Sequence, residues 1–376
     1  MGLQSYTVSF TTNNGVSWTA LTNVQNIQFS IGRQAQLDQT RASTGSFEMR
    51  YPTGYASPIA AMVAGTQIRI QNTTGAAYTI WTGRINDVTA EYGIPYASGV
   101  GQADYLNVSF EGAFATLGRM LGNDYAMPAD TILNQVANCT TQTGVNTGFS
   151  GGSAPTLAAT TVSGTWGDWV NRVCQSTNSR IWDSLIVDSV SVVSPFTYSV
   201  STINFSDTAN NATNQVYNKI NFDSLADNFY TQVTVDPENF AAATVTNVGA
   251  VAPFRTYQTN TLNASTAQAT DYANYLLSNY GSAKFAISSF SCMAEAQNSF
   301  QLDKIGNLGF FACIPGTQVG VTFRGVTYQC IIEGVNVSAT PAGAMFTYYV
   351  SGADLNAYLI LDNATFGKLD FNKLGY

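Results

Sequence analysis

The 376-residue chain contains no histidine. That absence removes Ser-His-Asp and Cys-His nucleophile systems, the usual catalytic zinc sites and the commonest general base. Charge is also scarce, at 10% of residues against roughly 25% in an ordinary soluble domain. Only 15 residues are basic, scattered without a cluster, and the net charge is −8. Attraction to a phosphate backbone needs a basic stripe, and none is present. No apolar run approaches ~18 residues, so no membrane-spanning helix and no membrane anchor are expected. The opening MGLQSYTVSF lacks a charged segment followed by an apolar one, and Tyr6 stands where a myristoylation motif needs Ser or Thr. A protein made in the cytosol is expected. Cys139, Cys174, Cys292, Cys313 and Cys330 are odd in number and widely spaced, without a C-x-x-C pair. They read as small buried apolar residues in a reducing compartment rather than as disulfide or zinc partners.

What is present is apolar and polar-uncharged. Hydrophobic residues make up 45%, enough for sizeable cores without disulfides or metal. The length favours two or three domains. With so little charge, the surface must be covered by Ser, Thr, Asn, Gln, Tyr and Gly. Such a surface is cheap to desolvate and suits a protein enclosed by neighbours in an assembly. The plain alternative is a solvated acidic β-protein. A weakly acidic surface also repels DNA, as a wall that DNA slides past should, although acidity serves solubility equally well.

One segment occurs twice. Residues 65–83 read GTQIRIQNTTGAAYTIWTG and residues 316–334 read GTQVGVTFRGVTYQCIIEG. Each opens on Gly-Thr-Gln, runs into alternating apolar residues and closes on a glycine, Gly83 or Gly334. A similar strand follows each, Arg84–Ala90 and Val335–Thr340. The repetition predicts one β-unit used twice.

Residues 1–118 alternate with a period of two, at Tyr6–Phe10, Ile27–Ile31, Ile68–Ile70 and Leu106–Phe110, as short strands of a sandwich or barrel do. Phe114 and Leu117 are spaced for a short helix. Residues 119–205 read as a small mixed α/β domain. A helix starts near Pro128-Ala-Asp130, a long Thr/Gly/Ser-rich surface loop covers 141–165, and Trp166, Trp169, Val170 and Val173 mark an amphipathic helix. Strands follow around Ile181–Val187 and Val190–Val200. Residues 206–352 form a second barrel with a helical insertion over 261–300. There Ser265 is the N-cap and Gly281 the stop of a helix carrying Ala269, Tyr272, Ala273, Leu276 and Tyr280 on one face. Residues 353–376 form a C-terminal extension.

Candidate chemistry is thin. Glu48, Asp87, Glu91, Asp104 and Glu111 are too scattered to nominate a glycosidase pair. Gly99-Val-Gly101 lacks the third glycine of a phosphate loop. In Asp362-Asn-Ala-Thr-Phe-Gly367, Ala364 and Phe366 occupy positions that must supply oxygen to calcium. Trp166, Trp169 and Trp182 can be read as a sugar-stacking platform or as core. No catalytic, cofactor-binding or metal-ligating residue is nominated, and no cofactor is expected.

From Ile31-Gly32-Arg33-Gln-Ala-Gln-Leu37-Asp38 onward the chain resembles the minor tail proteins of tailed bacteriophages. Thr44-Gly-Ser-Phe47-Glu-Met49, Tyr55-Ala-Ser-Pro58, Gly65-Thr-Gln-Ile-Arg-Ile70 and Trp81-Thr-Gly83-Arg-Ile85 follow in that group's order. Tyr358-Leu-Ile-Leu-Asp362 through Gly367-Lys-Leu369-Asp370 is similar to its terminus. Arg50-Tyr-Pro-Thr-Gly54 departs from the usual Asn-Asp-Gly, and long receptor-binding modules are missing.

The two barrels and α/β insert resemble the tail-tip, or baseplate, hub type. The resemblance implies a non-enzymatic virion component at the tail tip, made in the host cytoplasm and acting in genome ejection. It implies a mainly β fold with an α+β insert: two related tube-like β-barrels or sandwiches, a small α/β domain and one decorating helix. A homotrimer is implied, its duplicated barrels forming a pseudo-hexameric ring around a DNA channel, with a hexameric distal tail protein as the alternative. Further alternatives are a wall hydrolase and a glycan-binding module. Implied partners are the distal tail protein or tail tube, a tail-tip fibre or spike, the tape-measure protein, and DNA passing without specific binding. The strands beginning at Gly65 and Gly316 are the candidate lumen- or ring-forming elements, and edge strands would pair between subunits.

Overall fold

Period-two alternation becomes a barrel at the N-terminus. The computed structural model describes residues 6–51, 62–73, 77–91, 104–151, 155–194, 199–208, 214–223, 229–282, 286–295 and 313–352. The first barrel comprises β1 (Tyr6–Thr11), β2 (Thr19–Ala20), β3 (Val24–Gly32), β4 (Thr44–Tyr51), β5 (Gln67–Asn72), β6 (Tyr78–Glu91) and β7 (Asp104–Glu111). These pair in the order β2-β1-β5-β6-β7-β4-β3. Since β2 and β3 are one bent stretch of chain, the sheet closes on itself and leaves no free end at that seam. Val8, Ile68, Ile70, Trp81, Val108, Phe110, Phe47 and Met49 fill it, with the Trp81 and Phe110 rings 4.3 Å apart.

A small α/β domain follows the short helix α1 (Ala113–Arg119). Its elements are β8 (Tyr125–Met127), β9 (Asp130–Thr131), α2 (Ile132–Thr143), β10 (Thr147–Ser150), β11 (Thr156–Leu157), β12 (Thr160–Val162), α3 (Trp166–Thr177), β13 (Arg180–Asp183) and β14 (Val190–Val193). Thr131 and Thr165 cap α2 and α3 by accepting the Asn134 and Asp168 N–H groups. The expected surface loop over 141–165 is corrected: it carries three short strands. They pair with β14, β9 and β8, and burial of Leu157 and Val162 holds them down.

The second barrel includes residues from 199, where the strands Ser199–Val200 and Asn204–Ser206 pair with the strand Thr317–Phe323. It consists of β15 (Ser199–Val200), β16 (Asn204–Ser206), β17 (Asn214–Val216), β18 (Lys219–Asp223) and, later in the chain, β22 (Ala286–Glu295), β23 (Thr317–Phe323), β24 (Val326–Thr340) and β25 (Gly343–Gly352). Its strands run β18-β22-β25-β24-β23-β16-β17, and the bent stretch β17–β18 closes it as β2–β3 closes the first. Phe205, Phe290 and Tyr348 stack at its centre, with centroids 4.5, 5.2 and 5.1 Å apart. Between the two halves lies a unit of β19 (Gln232–Pro237), β20 (Ala243–Thr246), β21 (Thr256–Thr261) and α4 (Thr266–Tyr280), with Ser265 capping the helix. The helix rests on a three-stranded sheet of this unit, burying Ala269, Ala273 and Leu276 against Val233 and Val235.

The repeated segment occupies equivalent places. Gly65 and Gly316 both take positive φ, +87° and +82°, and their N–H groups donate to Ile85 and Ile332 at 2.8 and 2.7 Å. Each hairpin then meets a third strand, β7 or β25, across a bulge at Asn86 or Glu333. The equivalence of the closing glycines is corrected. Gly83 lies opposite Ile68, whereas the counterpart of Ile68, Val319, faces Cys330. The second hairpin is four residues tighter, so Gly334 lies past the bulge. The Tyr55–Pro58 turn, Gly99–Gly101 and the motifs of 358–370 lie outside the described residues.

Candidate functional site

The two barrels share one sheet. The long strand β24 pairs with β23 up to Ile331; beyond Glu333 that edge passes to β3 of the first barrel, Gly334 opposite Gly32 and Ala339 opposite Ile27. Eight strands, β6-β7-β4-β3-β24-β25-β22-β18, thereby form a continuous surface. Apolar residues point into the barrels, so the other face carries the alternate residues. One row across it reads Thr44, Ser30, Asn336, Thr347, Ser291, and the next reads Ser109, Ser46, Gln28, Ser338, Met345, Met293. Charges appear toward the ends of both rows: Arg84 on β6, Glu111 on β7 and Lys219 on β18 in the first, and Asp87 on β6 in the second. The middle of the face forms a trough of about 540 Å³ over the seam, lined by uncharged side chains.

Further along the same seam, at the bulge of β24, sits a buried ionic clamp. Glu333, 2% exposed, accepts from Arg33 Nε at 2.9 Å, Arg180 Nη2 at 3.0 Å and Ser351 Oγ at 2.6 Å. Arg33 follows β3 of the first barrel, Arg180 opens β13 of the α/β domain, and Glu333 is the bulge of the second barrel. Three units therefore meet on one carboxylate. Burial alone would push that carboxyl up, but the Arg180 and Arg33 guanidiniums bring it down to about 2. The backbones touch here too: a Cβ on Gly334 would lie 2.3 Å from the Arg33 carbonyl, and one on Gly32 2.3 Å from that of Glu333.

A second tie is Asp183. It accepts the Ser43 N–H of the first barrel at 2.7 Å and the Phe114 N–H at 2.6 Å, capping α1, which packs in the α/β core, where Gly112 offers no side chain. Burial pushes its carboxyl up to about 6, against the downward pull of those two donors. Arg84 and Asp188 pair at 2.7 Å across the same joint.

The residues that the sequence offered for chemistry separate in the fold, because spacing along a chain places no residue in space. Trp166, Trp169 and Trp182 are 3, 3 and 7% exposed, so none offers a face to a sugar. Glu111 is held by Arg119, which also reaches Asn86. The strands beginning at Gly65 and Gly316 are paired on both edges, β5 with β1 and β6, and β23 with β24 and β16. Neither is a free edge, so neither offers an edge for strand pairing between subunits. Glu333, Arg180 and Asp183 have a sequence signal, charge set against apolar residues: Glu333 stands inside Cys330–Val335, and Arg180 and Asp183 flank Ile181-Trp182. Arg33 belongs to the Gly-Arg motif of the resemblance, and its task is this clamp.

No protein-family model and no curated protein matches the chain. Solved structures do. It is similar to the 43 kDa tail protein of prophage MuSo2 from Shewanella oneidensis, with TM-score 0.63 and 13% identity over 94% of this chain and 99% of that one. It is similar to a tail protein from Neisseria meningitidis, with TM-score 0.61 and 11% identity over 94% and 98%. An E. coli type VI secretion component, itself described as similar to the T4 tail proteins gp27 and gp5, matches with TM-score 0.55 and 10% identity over 92% and 76%. The chain shares the fold of these phage tail proteins: mainly β, with two related barrels and an α/β insert.

Proposed function

We propose that this protein is a structural, non-enzymatic component of a phage tail tip. In this reading three copies form a hub whose six barrels imitate a six-fold ring around the DNA channel. The duplication carries it. A six-fold tube end offers six equivalent contacts, and a trimer meets all six only if each chain displays two similar barrels. The shared sheet face supports the same reading. The uncharged middle of that face suits a channel wall that DNA passes without binding. The barrels act as ring modules, while the α/β domain and the α4 unit face outward toward the distal tail protein or tube, the tape-measure protein and a fibre or spike.

Copy number tests this reading. Symmetry-free cryo-EM of assembled tails is expected to show three copies at the tip, and six copies in a ring would instead support a distal tail protein. Incubation with purified peptidoglycan is expected to release neither sugars nor peptides; release would support a wall hydrolase.

A further inference from the structure

A cleft between the end of α3 and the side of α4 plays no part in the proposed hub. It encloses about 320 Å³, at the small end of the roughly 300–1,000 Å³ that ligand sites occupy. We propose that it binds one saccharide ring of a glycan, held between a tyrosine pair and a rim of amide and carboxylate groups. On α4, Gln268, Asp271, Tyr272 and Tyr275 stand at i, i+3, i+4 and i+7, so a single helical face brings all four to the cleft. The Tyr272 and Tyr275 rings are nearly parallel, with planes 12° apart and centroids 6.3 Å apart. Together with the buried Leu157 of β11 they supply apolar surface for the C–H groups of a sugar.

The polar groups of the cleft are of both kinds. Gln268 Oε1 accepts the Ala264 N–H at 2.8 Å, which leaves its amide N–H donors without a partner among the described residues. The exposed Asp271 carboxylate is likewise unpaired among them. Asn178 Nδ2 donates to the Tyr275 hydroxyl at 2.6 Å, so its Oδ1 remains as an acceptor. A sugar hydroxyl both donates and accepts, and can use all three. Other ligand classes use less of the site. No cationic side chain lines it, and Asp271 repels anions. An ammonium ion can sit on a tyrosine face beside Asp271, but it leaves the Gln268 donors idle. The walls are also fixed before a ligand arrives. The Tyr275 hydroxyl accepts a second bond from Gln36 Nε2 at 3.3 Å. Asn263 donates across the joint to the Ser176 carbonyl at 3.2 Å, and the Ala158 N–H donates to the Leu262 carbonyl at 2.8 Å. Little ordering is left to oppose binding.

Ligand-observed saturation-transfer NMR on the full-length protein tests this. The probes are the methyl glycosides of glucose, galactose, rhamnose and N-acetylglucosamine, with choline beside them. At least one glycoside is expected to receive saturation at millimolar concentration. Asp271→Ala, a change at an exposed side chain, is expected to weaken that binding about tenfold or more, as loss of a hydrogen bond to a charged group does. Thr156→Trp, whose larger side chain occupies the cleft from β11, is expected to abolish it. Asp87→Ala, on the first barrel, is expected to leave it unchanged. Binding of choline without any glycoside overturns the assignment in favour of a cation site. Glycoside binding that survives both cleft variants, or no binding by any probe, overturns it outright. None of these results bears on copy number, so the hub stands or falls separately.

Discussion

At the residue scale, the clamp decides how the units stay together. A buried carboxylate between two guanidiniums is weak evidence of net stability, because desolvation offsets the attraction. Removing one partner is another matter, since it strands uncompensated charge. Glu333→Gln is therefore expected to cost ~3–5 kcal/mol in urea unfolding, much more than loss of an exposed pair. The two buried acids make opposite pH demands. Glu333 sits at about 2 when folded against an ordinary 4.5, so its contribution is whole above 4.5 and fades as pH falls toward 2. Asp183 sits at about 6 against an ordinary 3.8, so its contribution is greatest below 3.8 and fades as pH rises through 6. Stability measured across these windows is expected to lose the acid slope in Glu333→Gln and the slope between 3.8 and 6 in Asp183→Asn.

At the element scale, the seam between β3 and β24 leaves no room for added volume. Gly334→Ala must push the Arg33 backbone away, and forcing extra atoms into packed structure costs about 1–3 kcal/mol. The variant is expected to melt lower, with earlier hydrogen exchange over 27–32 and 334–339 than elsewhere in either barrel. Much of this scale was legible. Period-two runs located β1, β3, β5 and β7, and the i, i+3, i+4 spacing located α3. The three-stranded sheet under α4 was not, because Gln232–Pro237 and Thr256–Thr261 pair in parallel across intervening chain and neither is long or strongly apolar. Nor were the strands of 141–165, whose Thr-rich sequence reads as loop until partners are in place.

At the scale of the whole molecule, the trough makes a prediction about DNA. Attraction to duplex depends on cations that can displace condensed counterions. The wild-type oligomer is expected to leave DNA unshifted on a gel even at about 50 mM salt. An oligomer carrying Ser30→Lys, Gln28→Lys and Ser338→Lys is expected to retain it, with retention falling as salt rises. Retention by the wild type would remove the argument that this face is a passive wall.

The amino-acid order by itself determined the β character, the helix positions, the poverty of catalytic groups and the existence of a duplicated hairpin. All of these are written in local period and composition. Only the tertiary structure decided that the copies' closing glycines are not equivalent and that β24 leaves its own barrel for β3. Only it gathered Arg33 and Arg180 around the Glu333 carboxylate. The reason is physical: a strand's period says which face is buried but not which strand lies beside it, and charges hundreds of residues apart meet only once the backbone has closed.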